Sequence, residues 1–236
     1  MLKLSSLLLA LAYGVLIYMF SAWRTNRELD ARSTELADPR LRLLTDRMAA
    51  ALGLPRIRVF LYEIEPVNGL AAPDGRIFLT RGFYNRYRAG EVTAEELASV
   101  IAHELGHVAL GHTRRRMIDF SGQNAAFMAL VGLITRFVPV IGPFVAAGVA
   151  RFVTAALAAT LSRADEYEAD AYASALLVKA GIGTAPQKSL FRKLEALTGM
   201  RTGGLPAWLL SHPKSADRIA AIEAREARWM PPPARR

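Results

Sequence analysis

Three of the four histidines in the 236-residue chain, His103, His107 and His112, lie in the stretch SVIAHELGHVALGHTRRR at residues 99–116. His103 and His107 are four positions apart, so on a helix of about 3.6 residues per turn they are rotated by only about 40° and project from the same side. Two imidazoles so placed can reach one ion. Glu104 is offset from His103 by about 100°, close enough to touch a water on that ion without ligating it. Leu97, Ile101, Leu105 and Val108 collect on the other side, so chemistry and packing are separated around one cylinder. H-E-x-x-H on a helix is the arrangement of zinc hydrolases, in which three protein ligands hold the metal and a fourth position is kept for water.

The third ligand has to come from elsewhere. The extended pattern H-E-x-x-H-x-x-G-x-x-H is absent, because Leu110 stands at its glycine and Thr113 at its last histidine. His112 lies about half a turn round the helix from His103 and reads as a surface or capping histidine. Arg114 to Arg116 read as a solvated helix end favoured by the dipole. Downstream, LSRADEYEADAYASALL at residues 161–177 offers Glu166 and Asp170, four apart on an expected helix. One carboxylate could ligate and the other could accept the N–H of a liganding imidazole, a role that suits Asp170. Asp165 and Glu168 belong to the same cluster, so spacing alone does not choose the ligand.

The elements that must position these groups have local signals. Thr93 and Glu96 form a capping box that opens the histidine helix. Asp38 and Pro39 start an earlier helix, and the segments RIRVFLYEIE and RIFLTRGFY predict a small antiparallel sheet. Further helices are expected at Leu161 to Lys179, closed by Gly181, at Pro186 to Leu197, closed by Gly199, and at Ser215 to Trp229. Residues 230–236 read as a loose tail. The predicted class is α+β and mainly helical, with one metallopeptidase-like domain over residues 38–229.

Leu4 to Trp23 carries no charge, and about 20 apolar residues suffice for a helix to cross hydrocarbon. The expectation is one N-terminal transmembrane helix over residues 1–23, followed by a juxtamembrane linker over 24–37. Lys3 precedes the span while Arg24, Arg27 and Arg32 follow it, which places the body on the cytoplasmic side of the inner membrane. A second apolar region, Ala125 to Leu161, is interrupted by Arg136 and Arg151, and reads as a buried hairpin, a membrane-facing lid or a transmembrane hairpin. The formal charge of +9 raises nucleic acid as a partner, but no nucleic-acid motif accompanies it, and arginines beside apolar segments suit lipid headgroups. With no cysteine, thiolate nucleophiles, disulfides and cysteine metal sites are excluded.

HELGH, then SRADEYEADAYA, with VNGLAAPDGRIFLTRGF upstream and SHPKSADRIAAIEA downstream, resembles the membrane-associated zinc metallopeptidases of the HtpX and CAAX prenyl protease type 1 family. The resemblance covers residues 40–225 in the family's order. It implies a zincin-like domain holding Zn2+, with His103, His107 and Glu166 as ligands, Asp170 supporting them and Glu104 as general base. It also matches His212 and Arg218 to the family's C-terminal H-P and R positions as candidate catalytic residues, with His212 expected near the open side of the metal, and Asn68, Gly69, Leu70 and Ala71 to a substrate-binding edge. The implied activity is hydrolysis of peptide bonds in membrane-associated or misfolded proteins. The rival is a non-catalytic, chaperone-like membrane protein with a structural or dormant zinc site. Oligomeric state is not legible in the sequence.

Overall fold

A computed structural model describes residues 2–72, 74–112, 115, 127, 130–131, 134–137, 143–197 and 215–229. Its elements are α1 (Leu2–Ala31), β1 (Ser33–Glu35), α2 (Pro39–Leu52), β2 (Val59–Tyr62), β3 (Gly69–Ala71), β4 (Ile77–Thr80), α3 (Arg81–Arg88), α4 (Ala94–Ala109), α5 (Pro143–Lys179), α6 (Ala185–Leu197) and α7 (Ser215–Trp229). The expected α+β, mainly helical class is the one observed.

Helix boundaries follow the side-chain chemistry. Asp38 accepts from the backbone N–H groups of Arg40 and Leu41, each at 3.0 Å, with Pro39 at the first helical position of α2. Gly53 ends that helix at φ 69°, in the left-handed region. Thr93 and Glu96 satisfy each other's backbone N–H groups at 3.1 and 2.8 Å, fixing the start of α4.

The sheet is mixed rather than antiparallel. Its order is β1-β2-β4-β3, with β1/β2 and β3/β4 antiparallel but β2/β4 parallel. The chain leaves β2, forms β3 at the edge and returns as β4 into the central slot. All four residues of β4 are buried, and such a run fits a strand covered on both faces better than a half-exposed edge. The segment RIFLTRGFY is also not all strand: Thr80 accepts from the N–H of Phe83 and starts α3 directly.

The alternation along β4 divides the core. Ile77 and Leu79 face the main cluster with Met48, Leu97, Ile101, Leu177 and Ile222, whereas Phe78 faces Leu29, Tyr62 and Ala72 on the other side. Leu29 belongs to α1, so residues 24–37 are not the linker expected from composition. They continue α1 to Ala31 and then enter the sheet as β1. Tyr62 donates to Glu28 at 2.9 Å and Arg76 donates to Asp30 at 2.6 Å, which ties the end of α1 to the back of the sheet.

Among the described residues, no helix is long and apolar enough to cross a membrane. α5 begins at Pro143, well before the expected Leu161, and takes in much of the second apolar region. Phe137, Val145, Val149, Phe152 and Val153 are exposed there. Gly199 and residues 230–236 lie outside the described residues.

Candidate metal centre

α4 and α5 cross at a glycine. A Cβ on Gly106 would stand 3.0 Å from the carbonyl oxygen of Ala169 and 3.1 Å from its Cα. The absence of a side chain lets the α5 backbone come so close without displacement, and that approach brings the acidic cluster of α5 onto the histidines of α4. Glu166 is fully buried between them, its Oε2 3.3 Å from His103 Nε2 and its Oε1 3.4 Å from His107 Nε2. The two Nε2 atoms are 3.1 Å apart. Three donor atoms from helices distant in sequence therefore share one focus, and His103, His107 and Glu166 form a group able to hold a metal ion.

Each imidazole is held from behind. His103 Nδ1 is 2.9 Å from Asp170 Oδ1, and Arg218 grips the same carboxylate with Nε at 2.7 Å and Nη2 at 2.6 Å. The Arg218 guanidinium lies over the ring of Phe191 at 4.1 Å. Burial opposes ionisation of Asp170, but the charge of Arg218 and its two hydrogen bonds hold the carboxyl well below the usual carboxylate range. Burial likewise disfavours the charged form of His103, yet Asp170 and Glu166 outweigh it and push the imidazole up to about 9.

His112 is not the surface residue the helical projection suggests. It is completely buried, its Nδ1 2.9 Å from His107 Nδ1 and its Nε2 3.1 Å from Glu168 Oε2. Burial pushes its pKa down, favouring the neutral ring. Helix α4 ends at Ala109, and Gly111 at φ 69° turns the chain so that His112 folds back beneath His107. The available signal was that glycine, which marks a helix end ahead of His112. The acidic cluster is thus divided: Glu166 and Asp170 serve the paired histidines, while Asp165 and Glu168 lie beside His112 and Arg115.

Glu104 is buried and lines a narrow cleft together with Asn68, Gly69, Val100, His103 and Arg218. A Cβ on Gly69 would be 3.4 Å from Glu104 Oε1, so edge strand β3 runs directly beside that carboxylate. Leu70 and Ala71 continue the strand. Thr80 fixes its start by accepting from the N–H of Asn68 and donating to the Asn68 carbonyl, both at 3.0 Å. Arg218 bonds Asp170 as described. His212 lies outside the described residues.

A helical α+β domain that offers two histidines and a glutamate to one cation, with a second glutamate free at the cleft, has the build of a zincin-type metallohydrolase. Residues 35–226 match the model of peptidase family M48, and the chain belongs to that family. It is 30% identical over 165 residues to the metalloprotease LoiP of Escherichia coli strain K12, covering 70% of this chain and 61% of that protein. Similarity to the metalloprotease YcaL of the same organism is also 30%, over 71% of this chain and 61% of the relative. A protease HtpX homolog of Acidiphilium cryptum is 30% identical over 71% of this chain and 63% of its own length. The chain thus spans less than two thirds of the length of these relatives.

Proposed function

We propose that the chain is a zinc-dependent endopeptidase in which His103, His107 and Glu166 hold the metal and Glu104 is the general base. The observation that carries this reading is the shared focus of three donor atoms beside a glutamate that is not one of them. A structural zinc site closes with four protein ligands and has no use for such a carboxylate. The Glu166–histidine separations of 3.3 and 3.4 Å suit the ion, and the 3.1 Å between the two imidazole nitrogens is slightly shorter than its ligand edges. Bonds of about 2.0–2.2 Å at tetrahedral angles give edges of about 3.3–3.6 Å.

Bound zinc lowers the pKa of its water to about 7 and polarises a carbonyl. Glu104 accepts the proton of the attacking water and returns it to the departing amine. Asp170 accepts the Nδ1 proton of His103, leaving Nε2 free to ligate, and Arg218 keeps Asp170 ionised. A substrate segment adds as a strand at β3, where the backbone of Asn68, Gly69, Leu70 and Ala71 supports sequence-tolerant binding. Phe83, Leu190 and Phe191 in the same cleft favour an apolar substrate side chain. His212 remains a candidate for stabilising the oxyanion or covering the open side of the metal.

We further assign α1 as a membrane anchor, with the body on the cytoplasmic face and membrane-associated or misfolded proteins as substrates. Supporting the anchor are the charge-free run from Leu4 to Trp23 and the exposure of Leu16, Met19 and Phe20 at 60% or more. Exposed Phe137 and Phe152 add apolar surface suited to lipid.

Glu104→Gln tests the chemistry. Metal content should be unchanged while cleavage of casein falls by about 10²–10⁴-fold, the range for a lost general base. Undiminished cleavage by the Gln variant, or no metal in the wild type, defeats the proposal.

A further inference from the structure

We infer that His112 is the positioning residue of His107, and that it sets which nitrogen of His107 is available to the metal. The inference rests on the metallopeptidase reading above and concerns a side chain to which that reading gives no part. An imidazole that offers its Nε2 lone pair to a cation carries its proton on Nδ1. For His107 that proton is directed at His112 Nδ1, 2.9 Å away. Two Nδ1–H groups cannot face each other at this distance, so His112 presents a lone pair there and carries its own proton on Nε2. The Nε2 atom has an acceptor to receive that proton in Glu168 Oε2 at 3.1 Å, and the Asp165 carboxylate lies nearby at 3.7 Å. Arg115 holds Asp165 at 2.9 Å and lies 3.9 Å from Glu168, so the cation anchors the carboxylates that face His112.

The proton order is therefore determined from one end to the other. His107 donates to His112, and His112 donates to Glu168. The opposite order would leave a proton on His107 Nε2, the atom that faces Glu166. His103 meets its carboxylate directly through Asp170, whereas His107 meets one only through a neutral ring. The two ligand histidines are therefore supported differently, His103 by a carboxylate and His107 by an imidazole. Nothing in this arrangement requires His112 to touch substrate or metal.

The test compares wild type, His112→Gln and His112→Phe for zinc dissociation constant by chelator competition, cobalt(II) absorption spectrum and thermal unfolding. Gln retains an oxygen able to accept the His107 proton, whereas Phe fills the space without an acceptor. The Gln variant should bind zinc within about threefold of wild type, and the Phe variant about 10–100-fold more weakly with a changed cobalt spectrum, as for other outer-shell losses. Equal zinc affinity in folded His112→Phe overturns the inference, as does equal loss in both variants, which signifies a requirement for ring shape alone. Should the Phe variant not fold, ¹⁵N-resolved NMR of the zinc-loaded wild type decides. A proton on His112 Nε2 and none on Nδ1 supports the inference, and the reverse overturns it. Failure of the wild type itself to bind zinc removes the metallopeptidase reading, and this inference with it.

Discussion

Gly106→Ala places a methyl group where α4 and α5 touch. The new Cβ would meet the Ala169 oxygen at 3.0 Å, the Ala169 Cα at 3.1 Å and Tyr172 Cβ at 3.3 Å, so the neighbouring helix must retreat by a few tenths of an ångström. On an unobstructed helix this substitution stabilises by about 0.8–1.0 kcal/mol. Overpacking costs about 1–3 kcal/mol, so the net effect runs from about zero to about 2 kcal/mol of destabilisation. At about 2–4 °C per kcal/mol for a chain of this size, Tm falls by at most about 8 °C. The larger effect is on the metal. Glu166 is on the helix that retreats, and metal–ligand distances are held to about 0.2 Å. Zinc affinity should therefore drop by at least about tenfold, more than the change in fold stability implies. Thermal unfolding in chelator, paired with a zinc competition titration, separates the two quantities. A raised Tm with unchanged zinc affinity would falsify the close-approach argument.

Gly69→Ala brings a Cβ to 2.5 Å from Val100 Cγ1 and displaces β3 from Glu104. Its kcat/KM on a peptide substrate should fall by about tenfold or more with metal content intact, a 1 Å misplacement being able to cost about 10²-fold; unchanged kinetics would remove β3 from the substrate site. A separate test concerns pH. Burial pushes the Glu96 carboxyl up, but hydrogen bonds from Lys193, Ser189 and the Thr93 N–H outweigh it and hold the pKa below 4.5. Because the folded value is depressed, this contribution is complete above the unfolded value and is lost as pH falls through the folded one. The Tm gap between wild type and Glu96→Gln should be widest near neutrality and close below pH 4.5; a constant gap across that range refutes the assignment.

Where the controlling physics is local, the sequence was sufficient. Asp38, the Thr93–Glu96 box and the i,i+4 histidines act within a turn of themselves, and α2, α4 and the paired imidazoles are where their spacing predicts. The parallel pairing of β2 with β4 is a choice between strands 18 residues apart, and nothing in either strand announces it. A helical projection continued past Ala109 puts His112 on the surface, whereas Gly111 marks the end of the helix and turns the histidine inward. The roles of Asp165 and Glu168 depended on knowing where His112 goes. Family resemblance, rather than spacing, singled out Glu166 from four carboxylates. Gly106 has no signature at all until the helix it faces is known, because a close approach is a property of two elements and not of one.

The end of α1 behaves as a strut rather than a tether. Glu28, Leu29 and Asp30 are fastened to the reverse side of the sheet whose opposite edge borders the cleft. A 30-residue helix is about 45 Å long, so α1 runs as one continuous helix from its first turns to its attachment on the sheet. The cleft accordingly has a set stand-off from whatever holds those first turns, and under the proposed endopeptidase function distance along that axis would become a selection rule for which chains are cut.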